Sequence, residues 1–201
     1  MTDDINLQQE SLATAAVSEP RPWPRYFARV IDSVLFGAVA MFVLALTLAF
    51  TTEKGAERLV GATEGVGGLL VSNMLMYLLA LLPIGCLLAL AQTPGKWLFG
   101  IRVRNRDGSR MRLWKALKRE AWVLVRGVGL GFPVVTLFTH IASYTDLKEE
   151  GLTAWDRSLG CSVQHAPATW LWWIRATLGG LLVLAVTVWG YIDYFLAIGR
   201  S

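Results

Sequence analysis

The sequence predicts an all-α polytopic membrane protein: three to four membrane helices plus a broken or re-entrant helical segment, with a small cytoplasmic β-hairpin and an interfacial amphipathic helix. Three observations carry this expectation. The chain is 54% hydrophobic with a mean hydropathy of +0.46. Its apolar residues lie in long uncharged blocks at 33–52, 65–95 and 176–192, unlike the periodic spread of a water-soluble domain. Its charges segregate, with Lys and Arg crowded into 96–119 and acids prominent in 53–64 and 146–156, a pattern that reports membrane topology.

With 201 residues there is room for one membrane bundle. The predicted organisation is a disordered cytoplasmic tail at 1–21, a membrane domain at 22–165 and an additional C-terminal transmembrane helix at 166–201. Residues 1–20 lack the basic stretch followed by an apolar core that a signal peptide needs. Cys86 and Cys161 lie far apart, in an apolar run and a polar segment, so no disulfide framework or metal site is expected.

Pro20, Pro22 and Pro24 end the tail, and Trp23, Tyr26 and Phe27 are the aromatics expected where a helix enters the headgroup layer. The first span runs from about 27 to 50, and its entry at Arg21, Arg25 and Arg29 predicts a cytoplasmic N-terminus. Loop 51–65 is balanced in sign and glycine-dotted, as an external loop should be. The second span covers roughly 66–91. Asn73 and Tyr77 share a helical face there, with Asn73 either hydrogen-bonded between helices or facing a ligand, and Pro83 can kink the helix.

The stretch from Thr93 to Glu120 is the most basic. Ile101 to Arg104 alternates apolar and basic residues, a half-buried strand, and Asp107-Gly108 signals a turn. From Arg110 the period becomes helical. Leu113, Trp114, Leu117 and Ala121 take one face and Arg112, Lys115, Lys118 and Arg119 the other, an interfacial helix on an anionic leaflet. Together with Lys96, Arg102 and Arg104, these residues form the expected lipid-facing basic set. Gly95-Lys96 is no phosphate-binding loop, because no glycine stands five residues earlier and Trp97 occupies the Ser/Thr position. A basic loop beside a membrane accounts for Arg102, Arg104 and Arg106 without nucleic acid.

Segment 121–145 holds Arg126 among apolar residues and the break Gly127, Gly129, Gly131, Pro133, so it reads as a broken or re-entrant helix in preference to a full span. A polar stretch with Asp156-Arg157 and a β-prone end at 161–164 follows. Pairing of Ser162-Val163 with Ile101 to Val103 favours the re-entrant form. Trp170, Trp172 and Trp173 lead into the last span at 176–192, with Arg175 at its start.

The segments RYFARVIDSVLFG, TPGKWLFGIRVRNRDGSRMRLWKALKRE and LTAWDRSLGCSV, in this order, resemble the RDD family of prokaryotic membrane proteins, named for an arginine and two aspartates. The resemblance covers about residues 22–164. By position it implies that the arginine and first aspartate are Arg29 and Asp32 and the second aspartate Asp156, followed here by Arg157. Arg119 corresponds to the basic residue before the third apolar segment. Members often place His before the second aspartate, where this chain has Trp155. The resemblance implies more about architecture than activity. Cation–proton exchange has been proposed for members, and other RDD-type domains serve as membrane modules of larger assemblies.

Arg29 and Asp32 are three apart on a helix and are expected to pair near its cytoplasmic end. If 121–145 is re-entrant, Asp156 joins them in one cluster, either structural or coupled to transport. Two function classes follow. One is a small-cation/proton transporter working through Asp32 and Asp156, weakened by the absence of an evident inverted repeat and so expected to need a homo-oligomer. The other is a non-catalytic scaffold that engages anionic lipid headgroups or another membrane protein. His140 and His165 sit in no nucleophile motif or metal-ligand spacing, so neither an enzyme nor a cofactor is expected.

Overall fold

The computed structural model describes residues 21–52 and 54–198; the predicted tail therefore lies outside the described residues, apart from Arg21. The chain forms α1 (Pro22–Thr51), α2 (Gly55–Thr63), α3 (Gly65–Leu90), α4 (Pro94–Leu98), β1 (Ile101–Asn105), α5 (Leu113–Trp122), α6 (Pro133–Glu150), α7 (Ala154–Ser158), β2 (Cys161–His165) and α8 (Trp170–Ile198). A π turn at Val123–Gly127 extends α5, and a 3-10 turn at Gly129–Gly131 precedes α6.

Among the described residues, two helices are long and apolar enough to cross a membrane, Pro22–Thr51 and Leu70–Leu90. The apolar stretch of α8, Trp170–Ala185, is shorter. The outer faces of these helices are apolar, with Phe42, Phe50, Leu82 and Leu181 all exposed, as lipid contact requires. Loop 51–65 proves to contain α2, since its Ala-Glu-Arg-Leu run favours helix. Helix α3 runs unbroken through Pro83. Gly37 of α1 lets the backbone of α3 approach at Met76, the close packing that small residues permit between membrane helices.

The two strands pair antiparallel, Val103 opposite Val163 and Ile101 opposite His165. This corrects the expected hairpin. The Asp107-Gly108 turn forms, with Asp107 accepting from Ser109, but the chain after it enters α5, and β1 finds its partner beyond α7.

The segment predicted to be re-entrant doubles back. Left-handed Gly129, Leu130 and Gly131 reverse the chain, Gly131 lying against Asn73 and Tyr77 of α3 where a side chain would not fit easily. Thr136 and Thr139 of α6 donate their hydroxyls to the carbonyls of Val128 and Gly127, filling acceptors that the turn leaves open. The start of α5 and the end of α6 thus lie at the same end of the bundle as the sheet.

A duplication organises that end. Thr93 precedes α4, Phe99 ends it, Gly100 turns at φ 63° and β1 follows; 60 positions later Thr153 precedes α7, Leu159 ends it, Gly160 turns at φ 59° and β2 follows. The backbone angles agree, φ −73° and ψ 153° at Thr93 against φ −72° and ψ 153° at Thr153. Gly100 accepts from Ala166 N–H at 2.8 Å, and Gly160 from Arg106 N–H at 3.2 Å. The two copies are thus related by a local two-fold through the Val103–Val163 pair. Sequence reading missed the copy because only Thr, Gly and the inward Val are shared.

Phe99, Ile101, Val103, Met111, Cys161 and Val163 form the buried core beneath the sheet, and α8 is fastened to it by Trp172 Nε1–H donating to the Phe99 carbonyl at 2.8 Å. At Gly95 an added Cβ would come within 2.2 Å of the Ala28 carbonyl oxygen and 2.9 Å of Asp32 Oδ1. Gly95→Ala is therefore expected to destabilise by roughly 1–3 kcal/mol or more. Gly61→Ala in α2, with open space around it, is the control and should be neutral or slightly stabilising. Thermal unfolding in mild detergent measures both; equal melting temperatures would contradict the packing described.

Candidate functional site

The charged residues of α1, α4, α5 and α7 meet in one buried network. On α1, Arg25, Arg29 and Asp32 fall at intervals of four and three, one helical face. Asp32 is fully buried and takes the Thr93 hydroxyl on Oδ2 at 2.5 Å and the Gly95 N–H on Oδ1 at 2.7 Å. Lys96 Nζ stands 3.4 Å from its Oδ2 and also donates to Thr93 Oγ1. Asp32 thus fixes the start of α4 from the neighbouring helix.

The second copy exchanges the charges. Asp156, at the position of Lys96, accepts from Thr153 Oγ1 at 2.8 Å and from Arg119 Nε at 2.8 Å, with Arg119 Nη2 at 3.4 Å on its other oxygen. In one copy a carboxylate from α1 meets a lysine; in the other an arginine from α5 meets a carboxylate.

Glu120 joins the halves. It is fully buried, takes Arg29 on Oε2 and lies 3.1 Å from Arg119 Nη1 on Oε1. Burial alone would push its carboxyl up, but Arg29, Lys96 and Arg119 outweigh that and hold it down at about 2. For Arg119, burial favours the neutral form, and Asp156 and Glu120 reverse the effect to hold it charged. Arg25 Nε donates to His165 Nε2 at 3.2 Å, which requires the Nδ1–H tautomer, and Arg25 Nη1 lies 3.7 Å from Asp156. Burial, then Arg25 and Arg21, lower His165 to about 4, so it is neutral at physiological pH.

Beside the network lies a chamber of about 730 Å³. Arg25, Arg29, Arg119 and Asp156 line its polar end, and Val123, Val128, Leu137 and Ile141 line much of the rest beside Thr136 and His140. Trp155 also lines it and packs over Gly127 as an apolar wall beside Asp156. The Arg29 side chain is 10% exposed and uses Nη1 on Glu120, leaving Nε and Nη2 buried with no hydrogen-bond partner among the described residues.

This geometry corrects several expectations. Arg29 and Asp32 do not pair; Glu120 and Lys96 take them apart, because each has a buried partner of opposite charge on another element. The cluster with Asp156 exists, but through Glu120 and Arg119 and not by direct contact. Lys96 and Arg119 face inward and are not lipid-facing. Lys115 turns to Asn105 Oδ1 at 2.6 Å and the Gly160 carbonyl, tying α5 to the sheet. Arg102, Arg112 and Lys118 remain exposed and Arg104 half-buried. Arg157 pairs with Glu150 on the surface, outside the network. Arg126 is exposed, stacked over Trp122, and the Asn73 amide makes no hydrogen bond among the described residues. Sequence reading missed Glu120, Arg25, Thr93 and Thr153; the signal for the two threonines was the 60-residue repeat, and for Glu120 the rarity of an acid after Lys118-Arg119 in a helix of buried Ala116 spacing.

Apolar helices closed at one end by a buried ionic cap define a helical membrane protein. A model of the RDD family matches residues 20–200, and the chain belongs to that family. No curated protein and no solved structure matches it.

Asp156→Ala leaves Arg119 and Arg25 short of a buried counter-charge and is expected to cost roughly 3–5 kcal/mol, part of which Arg119→Met in the same chain should restore. A double-mutant cycle on detergent unfolding measures this, and additive losses would refute the pairing. A depressed His165 binds its proton more weakly folded than unfolded, so its contribution is complete above about 6.5 and is lost as pH falls through about 4. Melting temperature should therefore drop over that window, and less so in His165→Gln.

Proposed function

We propose that the protein is a non-catalytic membrane module of the prokaryotic plasma membrane whose ionic cap faces the cytoplasm and binds an anion. The observation that carries the reading is the imbalance of open hydrogen-bonding capacity. Asp32, Glu120 and Asp156 are each engaged by cations and donors, while Arg29 keeps two N–H groups open beside the chamber. Arg25, Arg29, Lys96 and Arg119 against those three acids leave a formal excess of one positive charge.

A small-cation exchanger would need a carboxylate able to release its cation and take another. Here each carboxylate is buried among arginine and lysine, and a free cation entering would meet the excess positive charge. An anion completes the set. The orientation rests on the positive-inside rule: Arg21, Arg102, Arg106, Arg110, Arg112 and Lys118 surround the capped end. In this frame segment 123–150 enters the bilayer from the cytoplasmic face and returns to it.

Inorganic phosphate, titrated into the detergent-solubilised full chain, should raise the melting temperature more than chloride at equal ionic strength. Arg29→Lys should remove most of that gain, since lysine keeps charge beside Glu120 but lacks the fork. No anion-specific rise in the unaltered chain would overturn the reading. In everted vesicles, cation-dependent proton flux that is present and lost with Asp32→Asn would favour exchange instead.

A further inference from the structure

We propose that the anion is the phosphate headgroup of an anionic membrane lipid, entering the chamber sideways between α1 and α6 with its chain along the apolar wall. This rests on the anion-binding reading and names its ligand class.

Four features carry it. The first is the shape of the open donor set. Nε and Nη2 form the side edge of the guanidinium, two parallel N–H groups that match two oxygens of one phosphate, while Nη1 is held by Glu120 so that the fork cannot turn away. Arg25 Nη1, also buried without a hydrogen bond, lies one turn earlier on the same face.

The second is size. A chamber of about 730 Å³ is far larger than a bare phosphate needs and lies in the range of sites for drug-sized ligands. The third is its lining. Away from the arginines, Val123, Val128, Leu137 and Ile141 give it an apolar wall that favours a hydrocarbon chain, and the Thr136, His140 and Ser143 side chains among them are bonded to backbone carbonyls.

The fourth is access and depth. Trp23 on α1 and Leu137, Ile141 and Tyr144 on α6 line the chamber yet are 65%, 60%, 56% and 45% exposed, so it reaches the outer surface between those helices. Across this opening the Tyr26 ring meets the His140 ring edge-on at 5.0 Å. Arg29 is seven residues into α1, about 10 Å along its axis, where the headgroup layer gives way to hydrocarbon. A lipid phosphate can therefore reach the fork without leaving the bilayer.

The test uses the full chain in phosphatidylcholine nanodiscs, with phosphatidylglycerol titrated against further phosphatidylcholine and bound lipid counted by native mass spectrometry. Phosphatidylglycerol should be retained selectively, and Arg29→Lys should weaken retention about tenfold. Ile141→Trp, which fills the apolar wall and touches no charge, should weaken lipid retention while leaving the phosphate-induced rise in melting temperature intact. Equal retention of the two lipids, or unchanged phosphatidylglycerol retention in both variants, would overturn the proposal. If inorganic phosphate stabilises the chain through Arg29 but lipid is not retained, this proposal falls and the anion-binding reading stands. If neither binds, both fall.

Discussion

Glu120 is the contact on which the polar end of the molecule depends. Fully buried, it bonds the arginines of two elements, Arg29 of α1 and Arg119 of α5. Each of those arginines is nine-tenths buried and would be costly to hold in an apolar bundle alone. Through Arg119 the acid reaches Asp156 and the second strand; through Lys96, which helps to hold it ionised, it reaches Asp32 and the first. Two membrane helices, a doubled-back helix pair and a two-stranded sheet thus share one electrostatic centre.

The duplication explains why so small a sheet is stable there. Two strands alone are marginal. Here each follows a turn of helix that begins after a threonine and whose start is clamped by a neighbouring helix, at Gly95 by Asp32 and at Asp156 by Arg119. The exchange of sign between the copies follows from their shared surroundings. Two identical lysines or two identical aspartates on either side of a local two-fold would repel across Glu120 and Arg119; opposite charges let the network close.

Sequence reading found the apolar helices, both strands and the turn-back at 121–145, because each leaves a local signature: long uncharged runs, alternation, and Gly-Gly-Gly-Pro spacing. It also found the family. What it could not find was partnership. Arg29 and Asp32 sit at a spacing that favours pairing along one helix, yet each bonds elsewhere, because each meets a buried opposite charge on another element. Helix α5 misled for a related reason. Its basic periodicity predicts a membrane-facing surface, whereas Lys115 and Arg119 turn inward to the sheet and to Asp156, and of the four only Arg112 and Lys118 point outward.

The same physics bears on why Arg29 has more to offer a ligand than Asp32. A buried aspartate that accepts from a hydroxyl, a backbone N–H and a lysine has little left to offer a ligand; Asp32 is in that position. A guanidinium has five donors, more than one carboxylate can use, so pairing Arg29 to Glu120 fixes its orientation and still leaves an edge open. Trp155 strengthens the distinction. Where a histidine would bring a proton-active group beside Asp156, this chain places an indole against Gly127 and dries that side of the chamber. An apolar wall on that side strengthens the attraction between the open fork and any anion that reaches it.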